Sequence, residues 1–427
     1  PSLNLSGGVM NFDRSIVEAR DPDTGRISYV DNNSLSNDLT LSVDQNIPFL
    51  GGTLSLQSSL SRLDQFNYDL QTYNTVPLIL NYTQPIRAYN ALKWRKKTAP
   101  LQYENAQRAY LETMQDITIN VTNLFFTVLS AQENYRQSVA DYEDRKHLFE
   151  IAKKRLDLGT TTKSEVLQME LSLLNAKMSV NSTSLTLRTQ LFSLFSYLRI
   201  VDYGDIELLP PYYMPEIEMN AEQVLDKAWT GSSHSIEQQL NLLESQRALA
   251  EAKANRGLQV EFRGRLGLSQ SANELPAAYR RLKDYETVGL TMTIPIYDWG
   301  MGRGKVRMAK TDVEITKTQI EQANIEFAHD VRTKVMQFNN QAEQCKTSLR
   351  AQDIAAERYD IMKKRFENGS VTVTELNTAQ EEFESAQHQY ISQLQQFWTD
   401  YYGIQKLTLY DFIRKENIGV NFNDLVN

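Results

Sequence analysis

Hydrophobic positions along this chain follow two different periods. Leu258, Val260, Phe262, Leu266 and Leu268 alternate with Gln259, Glu261, Arg263 and Arg265. Val288, Leu290, Met292 and Ile294 alternate with Thr291 and Thr293; Leu78, Leu80 and Tyr82 alternate with Asn81 and Thr83; Leu39, Leu41 and Val43 alternate with Thr40, Ser42 and Asp44. A period of two puts one set of side chains on each face of an extended strand. Six strands are expected, near 2–10, 37–47, 53–63, 75–85, 258–269 and 287–296, with longer polar-aromatic loops at 11–34, 64–74 and 270–286. One face is aliphatic and the other carries full charges, as in a membrane β-barrel with lipid outside and water inside. A half-buried sheet in a soluble protein alternates in the same way, so the strands alone leave both readings open.

Elsewhere the period is helical. Residues 99–158 and 302–368 lack proline beyond Pro100 in the first turn and carry narrow apolar stripes on a polar background. One seam runs Ile320, Phe327, Val331, Phe338, Cys345, Leu349, Ala356, Tyr359, Phe366, with spacings of seven, four and three that mark lateral helix packing. Helix resumes after Gly159 and Gly369, at 162–198 and 372–407, so each glycine is placed at the turn of a helical hairpin. Thr162 and Thr372, each with Glu three residues on at Glu165 and Glu375, have capping-box spacing.

The two hairpins belong to an internal repeat. Residues 149–159, Phe-Glu-Ile-Ala-Lys-Lys-Arg-Leu-Asp-Leu-Gly, match 359–369, Tyr-Asp-Ile-Met-Lys-Lys-Arg-Phe-Glu-Asn-Gly, at an offset of 210. The same offset pairs Pro85-Ile86 with Pro295-Ile296, Glu104 with Glu314, Val121 with Val331 and Glu165 with Glu375, without a gap. Each proline precedes its glycine by 74 residues, an arm of roughly 110 Å if helical. The chain therefore divides into first-repeat strands (1–86, with an extra hairpin at 37–63), a helical hairpin (87–198), an irregular segment (199–235), a helix (236–257), second-repeat strands (258–296), a second hairpin (297–407) and a C-terminal segment (408–427). Ser235 is the expected N-cap of the helix at 236–257. A counterpart of that helix is expected upstream of Leu3, in a precursor that also carries a signal peptide.

Composition narrows the function. No run of ~18 apolar residues exists, so no helix spans a membrane. With 45 Lys and Arg against 53 Asp and Glu, a net charge of −8 argues against a nucleic-acid partner. The single cysteine, Cys345, excludes a disulfide framework. The four histidines, His147, His234, His329 and His388, are scattered without ligand spacing, and no phosphate loop or nucleophile elbow is present, so neither a metal site, a cofactor nor an enzyme is expected.

The duplicated strand–strand–helix–glycine turn–helix unit resembles the TolC-like outer-membrane efflux proteins, over nearly the whole chain. The blocks Lys154–Gly159 and Lys364–Gly369 look like that family's hairpin tips, and Thr408-Leu409-Tyr410-Asp411-Phe412 like the C-terminal end of Bacteroidetes-type members. The resemblance implies a homotrimer in the outer membrane of a Gram-negative cell. Its strands would form a lipid-embedded β-barrel and its hairpins an α-barrel through the periplasm, with 199–235 and 408–427 as an equatorial belt. The function implied is a passive exit duct for a tripartite efflux pump or type I secretion system. Its partners would be a periplasmic adaptor (membrane fusion protein) and an inner-membrane RND or ABC transporter. A structural coiled-coil periplasmic protein without a channel is the rival; it leaves the alternating strands unexplained. Family members carry four strands per copy, whereas six are expected here, for a wall of eighteen unless the extra hairpin lies outside it.

The resemblance also places candidate residues. Glu375, Thr378, Val371, Phe366 and Glu165 fall at the pore constriction. Thr378 stands where the TolC pattern has a second acid, Val371 where it has Arg, and Phe366 where it has Tyr, so closure is expected to rest on apolar packing and Glu375. Three copies of Glu375 would ring a lumen and attract cations; as a helix cap it would not. Lys154, Arg155, Leu156 and Gly159, with Lys364, Arg365, Phe366 and Gly369, are the tips expected to dock the adaptor, though Lys153–Arg155 and Lys363–Arg365 also suit the solvated C-terminal ends of helices. Glu261, Arg263 and Arg265 are expected to line the barrel lumen.

Overall fold

The computed structural model describes residues 1–20, 25–201, 204, 206–211, 214–367, 370–371 and 373–422, with backbone alone at 19, 20, 366, 367 and 373. In chain order the elements are β1 (Ser2–Arg20), β2 (Ile27–Ile47), β3 (Gly52–Gln65), β4 (Leu70–Arg87), α1 (Ala91–Asp157), α2 (Lys163–Tyr197), α3 (Ala221–Gly231), α4 (His234–Arg256), β5 (Gln259–Ala272), α5 (Leu275–Ala278), β6 (Lys283–Thr293), α6 (Met301–Glu367), α7 (Val373–Thr408), β7 (Tyr410–Asp411) and β8 (Glu416–Asn417). They fall into two units, Pro1–Tyr103 with Gln238–Ile320, and Glu104–Glu237 with Glu321–Asn427.

The repeat is visible in the element bounds. α1 and α6 are each 67 residues long and start 210 residues apart, as do α2 and α7. The same offset lays β5 and β6 over β3 and β4. It lays α4 over residues 24–46, which are mostly β2. At that offset a strand, not a helix, stands opposite α4, and the first half has four strands where the second has two.

The first unit is built on one antiparallel sheet in the order β1-β2-β3-β4-β5-β6. All six expected strands are present. Pairing puts Leu3, Val43, Leu56, Leu80 and Leu266 in one row across five strands, with Phe262 opposite Leu290 and Val260 opposite Met292 on the same face. Among the described residues no element covers this face: Leu3, Leu266 and Leu290 are 69%, 60% and 55% exposed. The opposite face is polar and internally bonded. Asn4 Nδ2 donates to Asp44 at 2.9 Å, and Asn81 Nδ2 donates to Gln57 at 3.0 Å.

The stretches expected as loops are shorter than their polarity suggests. Residues 11–34 are mostly strand, with Asp13 opposite Ser34, Ser15 opposite Asn32 and Val17 opposite Val30. Residues 64–74 turn within 66–69, and 270–286 is trimmed by β5, β6 and the single turn of α5. These stretches carry polar residues on both faces, so period-two patterning misses them; backbone pairing along the hairpin holds them instead. A bulge between Gly8 and Asn11 leaves Met10 at φ 57°, and its N–H is met by Asn37 Oδ1 at 2.8 Å.

In the second unit the core lies between hairpin arms. Val331, Phe338 and Cys345, three members of the expected seam, are almost wholly buried. Val331, Val335 and Phe338 pack with Phe397, Tyr401 and Ile404 of α7 and with Val224, Leu225 and Ala228 of α3. α3 lies inside the segment expected to be irregular. Its cap is Asn220, whose side chain accepts from the N–H groups of Glu222 and Gln223 at 2.9 and 3.2 Å. The expected cap Ser235 is already inside α4, and its hydroxyl donates to Trp229 O at 2.8 Å.

α3 ends against the C-terminus of α7. A Cβ built on Gly231 would stand 2.0 Å from Thr408 O and 2.8 Å from its carbonyl carbon, and both are backbone atoms that cannot swing aside. Gly231→Ala is therefore expected to destabilise this packing by about 1–3 kcal/mol, as overpacking does, read as a lower midpoint in urea. An unchanged midpoint would show that α3 is not held this closely.

Candidate functional site

The barrel residues fall where alternation puts them. Glu261, Arg263 and Arg265 share the polar face with Asn81 and Thr83 of β4 and Thr291 and Thr287 of β6. Glu261 accepts from Arg263 Nε at 2.5 Å, a pairing of neighbours two residues apart on one face of a strand. Asn81, Thr83, Glu261, Arg263 and Arg265 line a shallow cleft of about 190 Å³.

At the first hairpin tip the backbone explains the sequence block. Thr160 N–H donates to Arg155 O, and Gly159 N–H to Leu156 O, both at 2.9 Å, with Gly159 at φ 70°. This is a glycine-terminated helix end in which positive φ is required. Thr162 then opens α2 with a full capping box: Glu165 N–H donates to Thr162 Oγ1 at 3.3 Å, and the Glu165 carboxylate accepts from Thr162 N–H at 3.2 Å and from the Thr161 hydroxyl. The Thr161 bond first, and the Thr162 backbone bond after it, hold the Glu165 carboxyl below the usual carboxylate range. Glu165 thus acts as a cap. Lys154 and Arg155 are exposed, and Leu156 is half-buried.

At the second tip, Ser370 N–H donates to Arg365 O at 2.9 Å, the bond that Thr160 makes one repeat earlier. Gly369, Thr372 and the Phe366 side chain lie outside the described residues. Glu375 is exposed in the first turn of α7; Thr378, one turn on, is exposed and donates to Thr374 O at 3.0 Å. Val371 is half-buried, and Arg365 is exposed. Lys364 pairs with Asp360 at 2.5 Å.

Four to five helical turns above the first tip stands a polar cluster that the sequence reading did not single out. Lys363 Nζ lies 2.9 Å from Asp144 Oδ2, and Tyr359 Oη donates to the same oxygen at 3.4 Å. Gln380 Nε2 donates to Asp141 at 3.0 Å and to Glu384 at 2.9 Å, and Asp141 also holds Arg145 at 2.8 Å. Asp141 and Asp144 are on α1, Tyr359 and Lys363 on α6, and Gln380 on α7, so the cluster ties one hairpin to the other. Burial first, then the negative field of Asp144, pushes the Tyr359 phenol up to about 12, so it remains a donor. A cleft of about 480 Å³ opens beside it. The contact between the two hairpins here is polar rather than apolar. Two acids at i and i+3 on α1 were the available signal; their partners on α6 and α7, more than 200 residues away, fall outside the repeat register.

Polar rungs continue along α1 and α7. Gln387 donates to Glu133 at 3.1 Å, Gln395 to Asn123 at 3.1 Å, and Lys406 to Asp116 at 2.7 Å. Between them sits an apolar knot of Phe126, Leu129, Cys345, Ile391 and Leu394. Burial pushes the Cys345 thiol up to about 11, which leaves it unreactive as a thiolate.

A sheet with one bare aliphatic face and one charged face, joined in one chain to paired long helical hairpins, defines an outer-membrane channel. The chain matches the outer membrane efflux protein family over residues 33–198 and 232–408, well over half its length. It belongs to that family, and it is an outer-membrane efflux channel. The fold is that of the Campylobacter jejuni CmeC outer membrane channel, at TM-score 0.65 and 14% identity over 100% of this chain and 80% of that one. The outer-membrane channel OprN aligns at TM-score 0.65 and 13% identity, over 95% and 81%. The open state of the Neisseria gonorrhoeae MtrE outer membrane channel aligns at 0.64 and 13%, over 84% and 80%. No curated protein matches the sequence.

Proposed function

We propose that three copies of this chain form one passive duct, closed at the hairpin tips and opened there when a periplasmic adaptor and an inner-membrane RND or ABC transporter engage it. The observation that carries this reading is the cluster at Asp144. It is polar and partly exposed, so it can break and reform in water, whereas the packing around Phe338 is dry and permanent. A gate belongs where packing is weakest. The exposed cations at Lys154, Arg155 and Arg365 offer an acidic adaptor surface a docking collar.

Trimer formation is supported by α2. Leu167, Leu171, Leu174, Met178, Leu185 and Phe192 follow spacings of four, three and seven and are all more than half exposed. Such a seam is covered when α2 packs against another copy's helices.

Purified protein in planar bilayers tests the duct directly: discrete, long-lived conductance steps are expected, and a coiled-coil scaffold gives none. In the same recordings, Glu375→Gln is expected to lower cation preference without changing trimer stability. A charge ~8 Å from the ion path in water is worth ~0.5 kcal/mol, or ~2-fold in local cation occupancy per carboxylate. Unchanged selectivity would reduce Glu375 to a helix cap.

A further inference from the structure

Among the described residues the sheet ends on two strands with no strand beside them, β1 on one side and β6 on the other. Each outer edge presents a row of unpaired backbone N–H and C=O groups. In the hydrocarbon layer no water can meet them, so each edge needs a strand. Directions alternate through the sheet, and six is an even number, so β6 of one copy and β1 of the next are antiparallel without reversal. We propose that the wall is an eighteen-stranded barrel of three sheets, closed by β6 of each copy pairing with β1 of the next, with Met292 opposite Leu3 and Leu290 opposite Leu5. This rests on the trimer reading above.

The register follows from the sheet itself. The bonded row that starts at Leu3, beside the first residue of β1, passes Val43, Leu56, Leu80 and Leu266 and ends at Glu286, seven residues before the end of β6 at Thr293. Relative to the rim formed by Ser2, Ile47, Gly52, Arg87, Gln259 and Thr293, the row climbs by about six residues per copy. Level rims at the junction then bring Met292 to Leu3. Six residues of stagger per six strands, at ~3.3 Å rise and ~4.8 Å spacing, tilt the strands by about 35°. That is the tilt membrane barrels adopt.

The side chains agree with this register independently. It sets Met292 by Leu3, Leu290 by Leu5 and Val288 by Gly7 on the apolar face, and Thr291 by Asn4 and Thr293 by Ser2 on the polar face. A slip of one residue would turn each face against its opposite. With eleven residues, β6 covers β1 only to Phe12. On the other side of the ribbon, β3 leaves β2 at Ser34, opposite Gln65. The far part of the β1–β2 ribbon therefore stands clear of both neighbours. A twelve-stranded wall would need the free edge of β3, which the β2 ladder occupies from Ile47 to Ser34. At equal tilt, eighteen strands give a backbone radius of about 17 Å, against about 11 Å for twelve.

Cysteine pairs in the full-length Cys345→Ser protein, oxidised in outer-membrane fractions, test the seam. Leu5→Cys with Leu290→Cys should convert most of the protein into covalent dimers and trimers on a non-reducing gel. Leu5→Cys with Val288→Cys, two residues out of register, should not. Cross-linking of Leu56→Cys with Leu290→Cys in place of Leu5→Cys with Leu290→Cys would establish a twelve-stranded wall and overturn the proposal. A trimer by native mass in which no pair cross-links also overturns the seam while sparing the trimer; a monomeric mass overturns the trimer itself. Rotational averages of the unsubstituted protein in nanodiscs count strands directly, with eighteen expected and twelve decisive against, so a variant that fails to fold does not shelter the idea.

Discussion

Asp144→Ala is expected to raise the open probability of the isolated channel and to make cells expressing it more permeable to large hydrophilic antibiotics. Asp144 is bonded to both Lys363 and Tyr359, so its removal releases α6 from α1 at two points. The ion pair is partly exposed, with the two side chains 42% and 39% accessible, which limits its worth to ~1 kcal/mol per copy. A gate that opens three copies together multiplies this to ~3 kcal/mol, more than a hundredfold in the ratio of open to closed. Lys363→Met should give a smaller change, because Tyr359 still donates to Asp144. Tyr359→Phe should give the smallest, since its bond is the longest of the set at 3.4 Å. Bilayer recordings of the three variants rank them; an Asp144→Ala channel as closed as the unsubstituted one would remove the cluster from the gating step.

How much of this could be read from residues alone depends on the range of the interactions. The helices are local events. Thr162 and Glu165 mark the start of α2 by a capping box, and Gly159 marks a turn by its positive φ, so tip and hairpin were legible. The strands were legible wherever one face is aliphatic, as at Val260, Phe262 and Leu290. They were lost at Asp13, Ser15 and Asn32, where neither face is apolar and only cross-strand backbone bonds define the ribbon. α3 was lost for another reason: eleven residues beside Pro210-Pro211 and Pro215 carry too few turns for a period to show, and only Asn220 followed by Glu222 hinted at a helix start. The Asp144 cluster is a meeting of helices far apart in the chain. The 210-residue register, which locates the two hairpins, sets Asp144 against Ile354 and says nothing of Lys363.

The largest single-site effect on stability is expected at Leu80. This side chain sits mid-strand in β4 on the bare face, opposite Leu56 on one side and Leu266 on the other. With this face turned to lipid, as the channel reading requires, Leu80→Arg carries a guanidinium into the hydrocarbon layer at a cost of ~2–4 kcal/mol. Three copies carry the same substitution, so a trimer loses ~6–12 kcal/mol by the same figure, enough to exhaust the stability of an ordinary domain. Asn81→Arg, one residue along, turns the same group to the polar face beside Gln57 and Arg265, where water solvates it. It should leave the trimer intact and shift selectivity toward anions instead. Heat-modifiable migration on gels separates the two: the Leu80→Arg trimer should be absent or should dissociate at markedly lower temperature, and the Asn81→Arg trimer should migrate as the unsubstituted protein does. If Leu80→Arg were tolerated and Asn81→Arg were not, the faces would be reversed and the lumen would lie on the aliphatic side.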